Sequence, residues 1–148
     1  MILIDSCVFV AYTNTKDQHH EKAVEILKDV NEGTYGRAFF SDYIFSEVLT
    51  VILLRVGFDK AKEFGSYLLS SEFELLRVDE KIFKRTWEIF CEVQNMSFTD
   101  CTNLALVEVF EIKKIATFDK GFLGKVEVVD SSCRDANRVV NDFEGLIS

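Results

Sequence analysis

Short apolar runs alternate with longer segments of helical periodicity along most of the chain, and that alternation narrows the possible folds more than any other feature. Residues 2–4, an apolar run closed by Asp5, feed directly into SCVFVAYTN, the pattern of a buried strand entering a helix. Residues 17–32 set Ala23, Val24, Leu27 and Val30 on one face and charged residues elsewhere, predicting an amphipathic helix ended by Gly33. RAFF reads as a second strand. Ser41 and Asp42 are placed to cap YIFSEVLTVILLRV, a helix apolar nearly all round and therefore expected to be mostly buried. FDKAKEFGSYLLSS follows, with Phe64, Leu68 and Leu69 turned inward, and FELLRV is a third strand. Asp79 caps the next helix, where Ile82, Phe83, Trp87, Phe90 and Cys91 form an apolar stripe; another helix begins near Asp100, and IATF and VEVV are two further strands. Strands alternating with helices predict an α/β fold with a mostly parallel sheet, whose sites form at the carboxyl ends of strands.

With 148 residues and 48% hydrophobic content, the chain can bury one core and is short for two, so a single domain over 1–148 is expected. The tail 131–148 fits no element clearly. The four cysteines share no CxxC spacing, which argues against a zinc site or a disulfide framework and for reduced thiols. The opening MILID lacks the marks of a secretory leader, and the longest apolar run, VLTVILL, is too short to span a bilayer; a soluble, cytoplasmic protein is expected, with no membrane partner.

Four acidic residues stand out against this frame. Asp5 and Asp119 fall at strand ends, Glu47 interrupts an apolar helix, and Asp100 follows MSFT. Each has an ordinary reading. Asp5 could cap the first helix, Ser97 and Asp100 could form a capping box, and Asp119 could start a turn with Gly121. Glu47 has no basic partner at helical spacing, since Arg55 is too far along, and its apolar neighbours make a buried carboxylate costly. Taken together the four suggest a cup for a hard divalent cation, Mg2+ or Mn2+, able to activate water against a phosphodiester.

Thr117, and less strongly Ser6, could hydrogen-bond a carboxylate or the attacking water, and Asn103, one helical turn past Asp100, could face a metal or phosphate or be exposed. His19 and His20, as sequence neighbours, point apart and make a poor metal pair. The net charge of −8 opposes general phosphate-backbone binding. Nucleic-acid contact would have to be local, with Lys16, Arg37, Arg55, Lys113, Lys114 and Lys120 as the available rims.

On the segments ILIDSCVFV, SDYIFSEVLTVIL, SFTDCTNLALVEVF and the closing Thr117, Asp119 and Phe122, with QHHEKAVEIL as a second helix, the chain resembles the PIN-domain family, close to the ribonuclease toxins of type II toxin–antitoxin operons. The resemblance runs nearly end to end. It implies a three-layer fold with a parallel sheet of about five strands between helices. It also implies a Mg2+ or Mn2+ site built from Asp5, Glu47, Asp100 and Asp119, with Thr117 assisting, and hydrolysis of single-stranded RNA leaving 5′-phosphate and 3′-hydroxyl ends. The partners it implies are the RNA substrate, a small antitoxin whose basic segment fills the acidic cleft, and a second copy of the chain in a homodimer. A solitary RNA-processing PIN nuclease and a non-catalytic binding scaffold are the alternatives. A phosphoacceptor receiver domain fits less well, because Ser6 stands where its second acid is needed.

Overall fold

A computed structural model describes residues 1–130; the tail 131–148, which the sequence pattern assigns to no element, lies outside the described residues. Five short strands, β1 (Ile2–Ile4), β2 (Ala38–Ser41), β3 (Glu74–Leu76), β4 (Lys114–Ala116) and β5 (Glu127–Val129), form one sheet in the order β3-β2-β1-β4-β5, and every neighbouring pair is parallel. Among the described residues six α-helices flank it: α1 (Ser6–Thr13), α2 (His20–Asn31), α3 (Asp42–Arg55), α4 (Phe58–Ser70), α5 (Glu80–Glu92) and α6 (Phe98–Val109). The chain first builds outward from β1 through β2 to β3, then crosses back to lay β4 on the other side of β1. That reversal makes the carboxyl ends of β1 and β4 the topological switch point of the sheet, the place where crevices open in such folds.

Local chemistry explains most element boundaries. Ser41 and Asp79 cap α3 and α5 by accepting the Ile44 and Ile82 amides at 3.0 and 2.9 Å. Gly33, just past α2, takes φ +81°, a conformation that a residue with a Cβ adopts only with strain. The second helix starts three residues later than the pattern predicts, because Asp17 turns the chain, accepting the His19 amide at 2.8 Å, instead of entering the helix.

Four helix faces differ from the sequence expectation. In α5 the inward side chains are Ile82, Thr86 and Ile89, whereas Phe83, Trp87, Phe90 and Cys91 face solvent. Helix α3 is not mostly buried: Ile44, Val48 and Ile52 make its core contact, while Leu53 and Leu54 are exposed. Val24 of α2 and Leu69 of α4 also point outward, and Ile26 takes the core position in α2. The core itself is centred on β1, all three of whose residues are completely buried, and on Phe9, whose ring packs edge-on against Phe40 and Phe64. No helix among the described residues is long and apolar enough to cross a membrane.

Candidate active site

Asp5 is the first residue after the central strand, and the fold buries it to 3% exposure. It caps α1, its Oδ1 accepting the Ser6 amide at 2.8 Å. The same Oδ1 accepts Asn103 Nδ2 at 3.1 Å, and Oδ2 accepts the Thr117 hydroxyl at 2.8 Å. Asp5 therefore caps α1 and at the same time draws α6 and the end of β4 together through Asn103 and Thr117. Burial raises its pKa; the Thr117 and Ser6 hydrogen bonds oppose the rise, and the nearby charge of Glu47 adds to it.

Asp100 reaches the same region from the start of α6. Its amide donates to Ser97 Oγ at 3.1 Å and its Oδ2 accepts the Ser97 amide at 3.3 Å, the reciprocal capping box anticipated in the sequence. That box does not use up its charge. Desolvation first, then repulsion from Asp5 and Asp119, pushes its pKa to about 6. Glu47 is also raised, by partial desolvation and by Asp100, while the Ser6 hydroxyl draws it down. Contrary to the sequence argument, Glu47 is solvent-exposed: it lies on the outer side of α3, facing the cleft rather than a core. Asp119 caps a single 3₁₀ turn, its Oδ1 accepting the Gly121 amide at 2.8 Å.

Four carboxylates from four separate segments thus influence one another at the switch point. Among the described residues, however, no three Asp, Glu, His or Cys side chains are gathered closely enough to hold a metal ion in this arrangement. The hydrogen bonds give a physical account, since Asp100 and Asp119 each commit one oxygen to a local backbone amide and like charges resist closer approach. The donor set, all hard oxygens with at least three carboxyl groups raised by burial and mutual repulsion, fits a hard divalent cation.

Thr117 is almost fully buried and positions rather than lines the cleft: its hydroxyl donates to Asp5 Oδ2 and accepts the Asp119 amide at 3.0 Å. Asn103 is fully buried, which removes the exposed alternative, and its Oδ1, beside the carboxylates, finds no partner among the described residues. The Cys7 thiol, which sequence reasoning assigned no role, stands 3.6 Å from Asp5 Oδ2 and accepts the Phe118 amide at 3.4 Å; burial and the Asp5 charge push its pKa far up, so it stays a thiol. His19 and His20 do point apart. His19 stacks on Phe118, while His20 Nδ1 donates to the Ala11 carbonyl at 2.8 Å.

The expected basic rim is only partly at the site. Arg37, Lys113 and Lys114 stand at the amino ends of β2 and β4, the opposite edge of a parallel sheet, where Arg37 makes a two-pronged ion pair with Glu74 and Lys114 faces Glu127 at 3.8 Å. Lys16, Arg55 and Lys120 remain on segments that reach the cleft side.

The comparisons agree with this geometry. A VapC ribonuclease of Archaeoglobus fulgidus is 27% identical over 124 residues, spanning 81% of this chain and 78% of that protein. Among solved structures, Mycobacterium tuberculosis VapC20, described as a sarcin-ricin loop cleaving toxin, has a TM-score of 0.73 at 22% identity, over 82% of this chain and 92% of its own. A toxin–antitoxin complex from Klebsiella pneumoniae has a TM-score of 0.65 at 17% identity, over 88% and 98% of the two chains. At those identities the structural likeness speaks for the fold. The PIN domain family model matches residues 2–127, a span that takes in the first four strands, the start of β5 and all four acids, and the chain belongs to the PIN domain family.

Proposed function

We propose that this single-domain protein is a divalent-metal-dependent endoribonuclease, hydrolysing phosphodiester bonds of single-stranded RNA with Mg2+ or Mn2+, and the toxin of a toxin–antitoxin pair. One observation carries the chemistry: four acids from four different segments converge electrostatically at the switch point of a PIN sheet, at a cost in desolvation and repulsion that a bound cation would relieve at neutral pH. The similarity to a VapC ribonuclease and to toxin–antitoxin structures supports the substrate and the biology.

In this reading Asp5, Glu47, Asp100 and Asp119 hold the cation. The cation supplies a site where water is acidified and phosphate charge is neutralised. Asp5 is kept in one orientation by three donors, the Ser6 amide, Asn103 and Thr117, so its carboxylate does not reorganise when substrate arrives. Thr117 also ties Asp119 to Asp5 through the Asp119 amide. Glu47, exposed on α3, would be free to turn toward the cation or to accept a proton from water. The antitoxin we propose carries an Arg or Lys into the same cup, forming charge-assisted hydrogen bonds where the cation would stand. A homodimer completes the assembly.

The test is cleavage of a labelled single-stranded RNA by purified protein in Mg2+ or Mn2+ and in EDTA. Cleavage is expected only with metal, and lost in Asp5→Asn; equal cleavage with and without EDTA refutes the metal-dependent mechanism.

A further inference from the structure

Beside the acidic cluster runs a groove of about 270 Å³, lined among others by Ser6, Glu47, Val51, Arg55, His19 and Phe118. Its most unusual wall is the His19–Phe118 pair, two rings stacked 4.5 Å apart at 17°. Neither ring belongs to the buried core, and both are partly exposed. The loop that carries His19 is held without using its ring: Asn14 Oδ1 accepts the Lys16 amide at 3.1 Å, Asp17 Oδ1 accepts the His19 amide at 2.8 Å, and His20 anchors the loop to α1 through Ala11. On the other side, the Phe118 amide is fixed to Cys7. A flat π-surface is thus presented on a rigid frame, with only two side-chain torsions per ring to restrain.

The charges along the groove are ordered. Glu47, Val51 and Arg55, at i, i+4 and i+8, share one face of α3, so Arg55 lies about 12 Å along the helix from the acidic site. Arg55 makes no ion pair among the described residues. Asp17, the second acid of the groove, already spends an oxygen on the His19 amide.

From this arrangement we infer that the groove is a nucleoside subsite, in which one unpaired base of a single-stranded RNA stacks on the His19–Phe118 pair while Arg55 meets a phosphate of the same strand, beyond the acids. The inference rests on the ribonuclease reading. Its chemistry is that of single-strand recognition in general, where aromatic faces take bases of any sequence and a guanidinium holds the backbone. It also answers how so acidic a chain engages RNA: the contact is one base and one phosphate, not a basic surface.

The experiment uses the intact chain and a random-sequence single-stranded RNA pool carrying 2-aminopurine at adenine positions. Binding is read by anisotropy with Ca2+ in place of Mg2+, stacking by 2-aminopurine quenching, and turnover with Mg2+. His19→Ala is expected to weaken binding roughly 5- to 150-fold, the usual worth of one stacked base, and to relieve the quenching. It should raise KM more than it lowers kcat. His19→Tyr should restore both, which a purely structural histidine would not allow. Phe118→Leu, which keeps an apolar side chain, should lose quenching likewise, and Arg55→Gln should weaken binding and its salt dependence while leaving quenching in the bound complex. Wild-type affinity and quenching in His19→Ala and Phe118→Leu, with wild-type chain still cleaving RNA, overturn the subsite and leave the ribonuclease reading intact. A wild-type chain that neither binds nor cleaves the pool overturns both.

Discussion

Asp100→Asn should make the metal-free protein more stable, and only above a defined pH. The carboxyl of Asp100 rises from its ordinary 3.8 to about 6, chiefly through burial and then through Asp5 and Asp119. Felt in full, that difference would destabilise the ionised fold by about 3 kcal/mol. Because Asp100 is only partly buried, solvent screening reduces it to about 1–2 kcal/mol. The sign follows from proton binding. With its pKa raised in the fold, the native state holds the proton longer than the unfolded chain does; stability therefore falls as pH climbs from about 4 to 6, and the penalty is complete above that. Asparagine carries no charge but can still accept the Ser97 amide, so the capping box survives. Thermal melts by circular dichroism in EDTA should place Asp100→Asn about 3–6 °C above wild type at pH 7.5, with the gap closing near pH 4. Adding Mg2+ should raise the wild-type midpoint and narrow the difference. A variant that melts at or below wild type at pH 7.5, or a gap that persists at pH 4, refutes the idea that repulsion and desolvation are stored at this carboxyl.

Asp5→Asn should abolish cleavage without matching that gain in stability, since its new amide would face the Thr117 or Asn103 donors that now meet a carboxylate; a melt showing a gain equal to that of Asp100→Asn contradicts the hydrogen-bond arrangement. Thr117→Val, close in shape, should cost about 1–3 kcal/mol by leaving the Asp119 amide without its acceptor, measurable by urea unfolding, and lower cleavage by loosening Asp5. Ser97→Ala should cost about 1 kcal/mol through the lost cap, checked by the same unfolding series. Light scattering at micromolar concentration should give a dimer, and a monomer removes that part of the proposal. Co-expression with an adjacent short reading frame should yield a co-purifying antitoxin; failure to co-purify favours a solitary RNA-processing nuclease.

The strand-helix order and the caps at Ser41, Asp79 and Ser97 were legible in the sequence because each depends on local chemistry. Which face of a helix turns inward was less so. In α5 two stripes share one spacing: Ile82, Thr86 and Ile89, and one residue along, Phe83, Trp87 and Phe90. Periodicity cannot choose between them, and size favoured the aromatic set. The fold chose the set with the smaller side chains, and the hydroxyl of Thr86 is satisfied inside by donating to the Ile82 carbonyl at 2.7 Å. Glu47 shows the same limit. Its apolar neighbours suggested burial, yet Val48 and Ile44 face in while Glu47 faces the cleft. Asn103 could be placed beside Asp5, and Cys7 beside Thr117, only once the fold brought α6 and β4 to β1, contacts between residues about a hundred positions apart.

The outward aromatic strip on α5 changes what the protein's own light reports. Trp87 is the single tryptophan of the chain and is 56% exposed, stacked loosely on Phe90. Its emission in the native state already samples water, so unfolding will shift it little, and a fluorescence melt will understate the transition seen by circular dichroism. Any macromolecule that settles over α5 will instead exclude water from the indole and move the emission to the blue. The intrinsic fluorophore is thus a poor gauge of folding and a label-free sensor of occupancy on that helix.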